Sequence, residues 1–142
     1  MKTRILFVCI HNAARSQMAE AFANHLAGDR LAAESAGLEP GKLNPIVVEA
    51  MREHGIDISG NETNSVSEFL KQERKYDYVI TVCDEASSER CPMFPGKATR
   101  MHWSFPDPSA LTGTDQQKLQ AIREIRDDIR QRIEQFITEM AD

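Results

Sequence analysis

The sequence predicts an α/β protein with a four-stranded parallel sheet flanked by helices on both faces. Three observations carry that expectation. Strand-like and helix-like segments alternate along the chain; the clearest strand segments are apolar runs without polar alternation; and 142 residues suffice for one core of this kind but not comfortably for two. The expected organisation is a single domain, 1–142.

The first strand is expected at Arg4 to Val8, an apolar run typical of a parallel strand buried on both sides. After a loop at 9–14, the segment from Arg15 to Ala27 carries Met18, Ala21, Phe22 and Leu26 at helical spacing, and Gly28 can end it. A second strand is expected at Ala32 to Ser35, closed by Gly37. Asn44 followed by Pro45 reads as an N-cap with proline in the first turn, opening a helix through Val48 and Met51 that stops at Gly55. Residues 56–64 are loop-like, and Ser65 to Gln72 reads as a short helix. The third strand is expected at Tyr76 to Val82, where β-branched and aromatic residues concentrate. A polar stretch with two cysteines and two prolines spans 83–95, a fourth strand is expected at 98–103, and SFPDPSALTG reads as a loop. From Thr114 or Asp115 onward the pattern is one long helix, with Leu119, Ile122, Ile129, Ile133, Phe136 and Met140 on its apolar face.

Composition excludes several classes. A formal net charge of −5 argues against a general nucleic-acid binder, so any bound anion must be held by a local site. Ile5 to Ile10 is too short for a signal peptide's hydrophobic core, and no run approaches the roughly 18 residues needed to span a bilayer, so a cytoplasmic protein is expected. Three cysteines, an odd number, do not fit a static disulfide framework and are either buried apolar residues or reactive thiols. No paired C-x2-C spacing marks a zinc site, and no metal or cofactor is expected. His25, His54 and His102 read as ordinary structural histidines, and His11 lies inside the first loop.

That loop carries the chemistry. Cys9 stands where the first strand ends, and Arg15-Ser16 open the following helix. In open parallel sheets ligands bind beyond the carboxyl ends of strands, where loop N–H groups and a helix N-terminus converge. Ile10, His11, Asn12, Ala13 and Ala14 are enough to curl around a tetrahedral oxyanion, with Arg15 clamping two of its oxygens through its planar fork and Ser16 completing the cradle. The same field favours the Cys9 thiolate as a nucleophile; Ser16 can donate a hydrogen bond to it, and Asn12 can brace the loop. By spacing alone, a buried strand-end cysteine beside a surface arginine is the commoner explanation of such a pair. The strand before and the helix after favour the anion site. Asp107, between Pro106 and Pro108, is the candidate general acid for a leaving oxygen, although taken alone it is also an ordinary loop aspartate.

The combination of CIHNAARSQMAEAF, ESAG, YVITVCDE, CPMFPG and HWSFPDPSALTG resembles the thiol-coupled, thioredoxin-dependent arsenate reductases of the low-molecular-weight tyrosine phosphatase fold, over nearly the whole chain. The resemblance implies three thiols acting in sequence in arsenic detoxification. Cys9 attacks arsenate, with Arg15 and Asp107 assisting; Cys83 attacks the Cys9 sulfur and expels arsenite; Cys91 takes over the disulfide; and thioredoxin or a similar dithiol reduces it. It places Cys83 at a strand end on the same sheet edge as Cys9. A helical Cys83 to Cys91 segment would span roughly 12 Å, beyond the disulfide limit of about 7 Å, so the redox switch would also be a conformational one. Some relatives hold potassium beside the loop; Asn12 and Glu20 correspond to two of its ligands, while Ser65 replaces the acidic third. The enzymatic alternative is a low-molecular-weight protein tyrosine phosphatase using Cys9, Arg15 and Asp107, which has no need of Cys83 and Cys91. An oxyanion- or redox-sensing module is the non-enzymatic one.

Overall fold

The computed structural model describes residues 2–83, 94 and 96–141. Four parallel strands, β1 (Thr3–Cys9), β2 (Leu31–Gly37), β3 (Tyr78–Thr81) and β4 (Thr99–His102), form one sheet in the order β2-β1-β3-β4. The helices are α1 (Arg15–Ala27), α2 (Pro45–Arg52), α3 (Val66–Lys71) and α4 (Asp115–Ala141), with a 3-10 turn at Pro108–Ala110. The four expected strands and four expected helices are all present; α1 has the expected ends and α4 the expected start, while the strand ends differ. β2 is longer than expected because it pairs with β1 along its whole length, from Thr3 with Leu31 to Cys9 with Gly37. β3 is shorter: Tyr76 and Asp77 precede it, although Asp77 N–H already donates to the Arg4 carbonyl at 2.8 Å.

Burial explains the layers. Ile5, Phe7 and Cys9 face one side of β1 and pack with Met18 and Phe22 of α1, Val47 and Met51 of α2, and Ile122, Ile129 and Ile133 of α4. Leu6 and Val8 face the other side, against Val66 and Phe69 of α3 and against Phe94. This is the period-2 alternation of a strand covered on both faces. The stripe on α4 includes Ile125, and Leu119 and Met140 lie at its half-buried ends. Within α4, buried Arg126 donates to the Ala50 carbonyl at 2.9 Å and pairs with Glu53 at 2.7 Å, tying α4 to the end of α2.

Two features aim the chain at the carboxyl edge of the sheet. Rings from Phe7, Trp103 and Phe136 stack at centroid distances of 5.9 and 5.5 Å, and Tyr78 meets Phe136 at 5.2 Å. Trp103 and Phe105 are both buried, so the segment leading to Asp107 leaves β4 with two aromatic anchors in the core. Asn44 caps α2 by accepting from Ile46 N–H at 2.9 Å, with Pro45 at the first position, as its sequence predicts. Among the described residues, no helix is long and apolar enough to cross a membrane.

Candidate active site

The loop between β1 and α1 is pinned from outside. The carbonyls of Cys9, Ile10, His11 and Ala13 accept hydrogen bonds from the N–H groups of Leu38, Glu39, Gly41 and Asn44 at 3.1, 2.7, 3.0 and 3.0 Å. A trans peptide points its N–H opposite to its C=O, and the described chain has no cis bonds. The N–H groups of Ile10, His11, Asn12 and Ala14 therefore face away from segment 38–44. The Asn12 N–H shows where they lead, since it donates to Cys9 Sγ at 3.1 Å. Asn12 takes φ 55°, a left-handed conformation in which asparagine is enriched among non-glycine residues. Ala14, the N-cap of α1, supplies no side-chain cap, so the first turn of the helix also opens toward this space.

Of the expected site residues, Cys9, His11, Ala13, Ala14, Arg15 and Asp107 line one pocket together with Asn44, while Ile10, Asn12, Ser16 and Cys83 are not among its lining. Arg15 is only 4 % exposed; its Nη1 donates to the Phe105 carbonyl at 3.2 Å and its Nη2 lies 3.8 Å from Asp107 Oδ1. The guanidinium is thus fixed at one side and presents its remaining donors to the pocket. Asp107 sits on the rim with its carboxylate about two-fifths exposed, where it can exchange protons with solvent. His11 accompanies it, with Nδ1 2.8 Å from the Glu39 carbonyl, which makes Nδ1 the protonated nitrogen.

Ser16 lies 2.9 Å from Cys9 Sγ, and its oxygen accepts from Asn12 Nδ2 at 2.7 Å. Toward a Cys9 thiolate the Ser16 hydroxyl is the donor, since a thiolate sulfur can only accept.

Cys83 follows β3, the strand next to β1, and pairing continues past the strand end, with Val82 N–H donating to the Val8 carbonyl at 2.9 Å. Cys83 is 0 % exposed and Cys9 is 3 % exposed, and both lie in the same apolar cluster. Cys91 lies outside the described residues, as does most of the polar stretch at 83–95, so the structure gives no geometry for the second thiol transfer. Among the described residues, no group of three or more His, Cys, Asp or Glu side chains could hold a metal ion.

Several participants do not announce themselves in the sequence. Gly37 is one: a Cβ there would meet Asn12 N, the His11 carbonyl carbon and the Ile10 oxygen, each at 2.8 Å. Gln17, in the first turn of α1, and the Asn64 N–H both donate to Asn12 Oδ1 of the loop, while Asn61 and Glu62 bond to Gln17. Gln17 alone left a signal, as a polar residue one turn before Ala21, beside the apolar stripe of α1.

Glu20, on the next turn of α1, accepts from Ser35 Oγ at 3.1 Å. Burial, with the Glu34 charge adding to it, raises its carboxyl from the usual 4.5 to about 7. Between those values the folded protein binds more protons than the unfolded chain, so this stabilisation is complete below about 4.5 and lost as pH rises through about 7. At 1.36 kcal/mol per pH unit it is worth no more than about 3 kcal/mol. Glu20→Gln is therefore expected to gain stability over the parent as pH rises from 5.5 to 8, read as the difference between their urea midpoints.

A buried cysteine at the mouth of a loop of converging N–H groups, beside a fixed arginine and a rim aspartate, is an arrangement able to hold a tetrahedral oxyanion and attack it, the chemistry of a cysteine-dependent phosphatase. The family model of low molecular weight phosphotyrosine protein phosphatases matches residues 4–142, and the chain belongs to that family. Similar proteins within it include arsenate reductases. The chain is 42% identical over 135 residues to the arsenate reductase of Halalkalibacterium halodurans, covering 95% of each chain. It superposes on a solved arsenate reductase in its phosphate binding state with a TM-score of 0.78 at 33% identity, covering 98% of both chains. The thioredoxin-dependent arsenate reductase of Corynebacterium glutamicum matches with a TM-score of 0.63 at 31% identity, over 94% of this chain and 62% of that one.

Proposed function

We propose that this protein reduces arsenate to arsenite, with Cys9, Cys83 and Cys91 passing the oxidising equivalents to thioredoxin or a similar dithiol. Cys9 thiolate attacks arsenic(V) held by the loop N–H groups and Arg15, while Asp107 protonates the departing oxygen, leaving a Cys9–arsenate adduct and water. Cys83 then attacks the Cys9 sulfur. The electron pair of the S–As bond passes to arsenic, arsenite leaves with arsenic reduced to the trivalent state, and a Cys9–Cys83 disulfide remains. Cys91 attacks Cys83, frees the Cys9 thiolate, and offers the new disulfide to the external dithiol.

The observation that carries this reading is the second buried thiol. Hydrolysis of a phospho-cysteine needs water, whereas Cys83 stands at the end of the strand next to that of Cys9, with neighbouring strands about 4.8 Å apart. The arsenate reductases among its relatives support the same substrate. In this reading the chain works as one domain in the cytoplasm, where a dithiol reductant is available, and serves arsenic detoxification.

The test follows NADPH oxidation with arsenate, thioredoxin and thioredoxin reductase. Cys83→Ser and Cys91→Ser are each expected to reduce turnover at least about a hundredfold, with mass spectrometry finding a Cys83–Cys91 link in the oxidised parent. Turnover indifferent to both replacements overturns the relay. Arg15 and Asp107 would serve a phosphate ester equally well, so slow dithiol-independent hydrolysis of p-nitrophenyl phosphate is expected, and Cys83→Ser should retain it.

A further inference from the structure

Gln17 is 1 % exposed, and each polar atom of its side chain is used. Nε2 donates to Asn12 Oδ1 and to the Glu62 carbonyl, both at 3.1 Å, and Oε1 accepts from Asn61 Nδ2 at 3.1 Å. A backbone carbonyl can only accept, so Glu62 sets which end of the Gln17 amide is nitrogen. The Asn64 backbone N–H can only donate, and at 2.8 Å it sets Asn12 Oδ1 on the same side as Gln17. With its oxygen committed there, Asn12 turns Nδ2 to Ser16 Oγ at 2.7 Å, and Ser16 Oγ lies 2.9 Å from Cys9 Sγ, to whose thiolate it can only donate. The orientations of both amides are set by two backbone groups that have no choice.

We propose that Gln17 is a positioning residue for the nucleophile: by donating to Asn12 Oδ1 it holds the Asn12 amide in the orientation that directs the Ser16 hydroxyl onto Cys9 Sγ. It also makes segment 61–64 a partner in that alignment, since Glu62 and Asn61 hold the two ends of its amide. Removing the Gln17 donor leaves Asn12 Oδ1 held by the Asn64 N–H, and the Asn12 amide and the Ser16 hydroxyl are then freer to turn.

The proposal rests on Cys9 being the nucleophile, and its test separates the two. In a Cys83→Ser/Cys91→Ser background, the pH dependence of Cys9 alkylation by iodoacetamide is compared between the parent and Gln17→Met, alongside urea midpoints. A hydrogen bond to a charged group is worth about 1.5 kcal/mol, so the alkylation midpoint is expected to rise by about one pH unit, with alkylation at pH 6.5 up to about tenfold slower. Gln17→Met adds no charge, so that shift has no new coulombic source. If Gln17→Met does not fold, the smaller and equally uncharged Gln17→Ala is read in its place. A purely structural role would lower the urea midpoint and leave the Cys9 midpoint in place, and that result overturns the proposal. A parent whose Cys9 does not react sinks the nucleophile reading itself and the positioning role with it.

Discussion

Arg15→Lys is expected to lower kcat/KM for arsenate by about 10²- to 10³-fold, the usual cost of losing a donor aimed at developing charge. The guanidinium is held on one side by the Phe105 carbonyl at 3.2 Å and lies 3.8 Å from Asp107. An ammonium can replace the charge but not the planar fork, so it cannot bond to that carbonyl and clamp two substrate oxygens in the same plane. Arg15 is also buried, which removes the water that would soften the exchange. The measurement is steady-state arsenate reduction with thioredoxin, set beside iodoacetamide alkylation of Cys9. Alkylation is expected to survive far better than turnover, because the Ser16 and Asn12 donors to sulfur are untouched. Equal loss of both would show that the variant disturbs the loop as a whole.

Gly37→Ala is expected to damage both stability and anion binding. Its Cβ would lie 2.8 Å from three backbone atoms of the anion loop, and a backbone held by neighbouring hydrogen bonds cannot swing aside as a side chain can. The cause is space alone, since Gly37 is not among the positive-φ glycines. Overpacking of this kind costs about 1–3 kcal/mol, with the upper end expected here. Urea denaturation reads that loss, and isothermal titration with phosphate reads the weakened cradle. An alanine variant with unchanged phosphate affinity would mean that the loop can shift without losing its shape.

The parts of the molecule legible in the sequence are those written in local patterns. The apolar run before Cys9, the Asn44-Pro45 start of α2 and the stripe of α4 each depend on neighbours within a few residues, and each element is present. The ends of β2 were not legible, because Leu31, Ala36 and Gly37 join the strand through pairing with β1 rather than through their own propensities. Cys9, Arg15, Ser16 and Asp107 stood out as candidates because few residue types can do their chemistry. The residues that orient them did not. Phe105 serves through its carbonyl, which any residue possesses, and Asn64 through its N–H, so no side-chain pattern could reveal either. Gln17 meets Asn61 and Glu62 across more than forty residues of chain, a proximity that only the completed fold creates.

The bonds from Leu38, Glu39, Gly41 and Asn44 to the carbonyls of the anion loop are all backbone to backbone and come from the protein itself. The loop's shape is therefore settled during folding, and little ordering entropy remains to be lost when an oxyanion arrives. Affinity then depends chiefly on exchanging the anion's water shell for fixed N–H groups and one guanidinium. An ion of the same geometry and charge meets the same terms, so competition from phosphate follows from rigidity itself, and discrimination between the two anions has to come after binding, in the chemistry at sulfur.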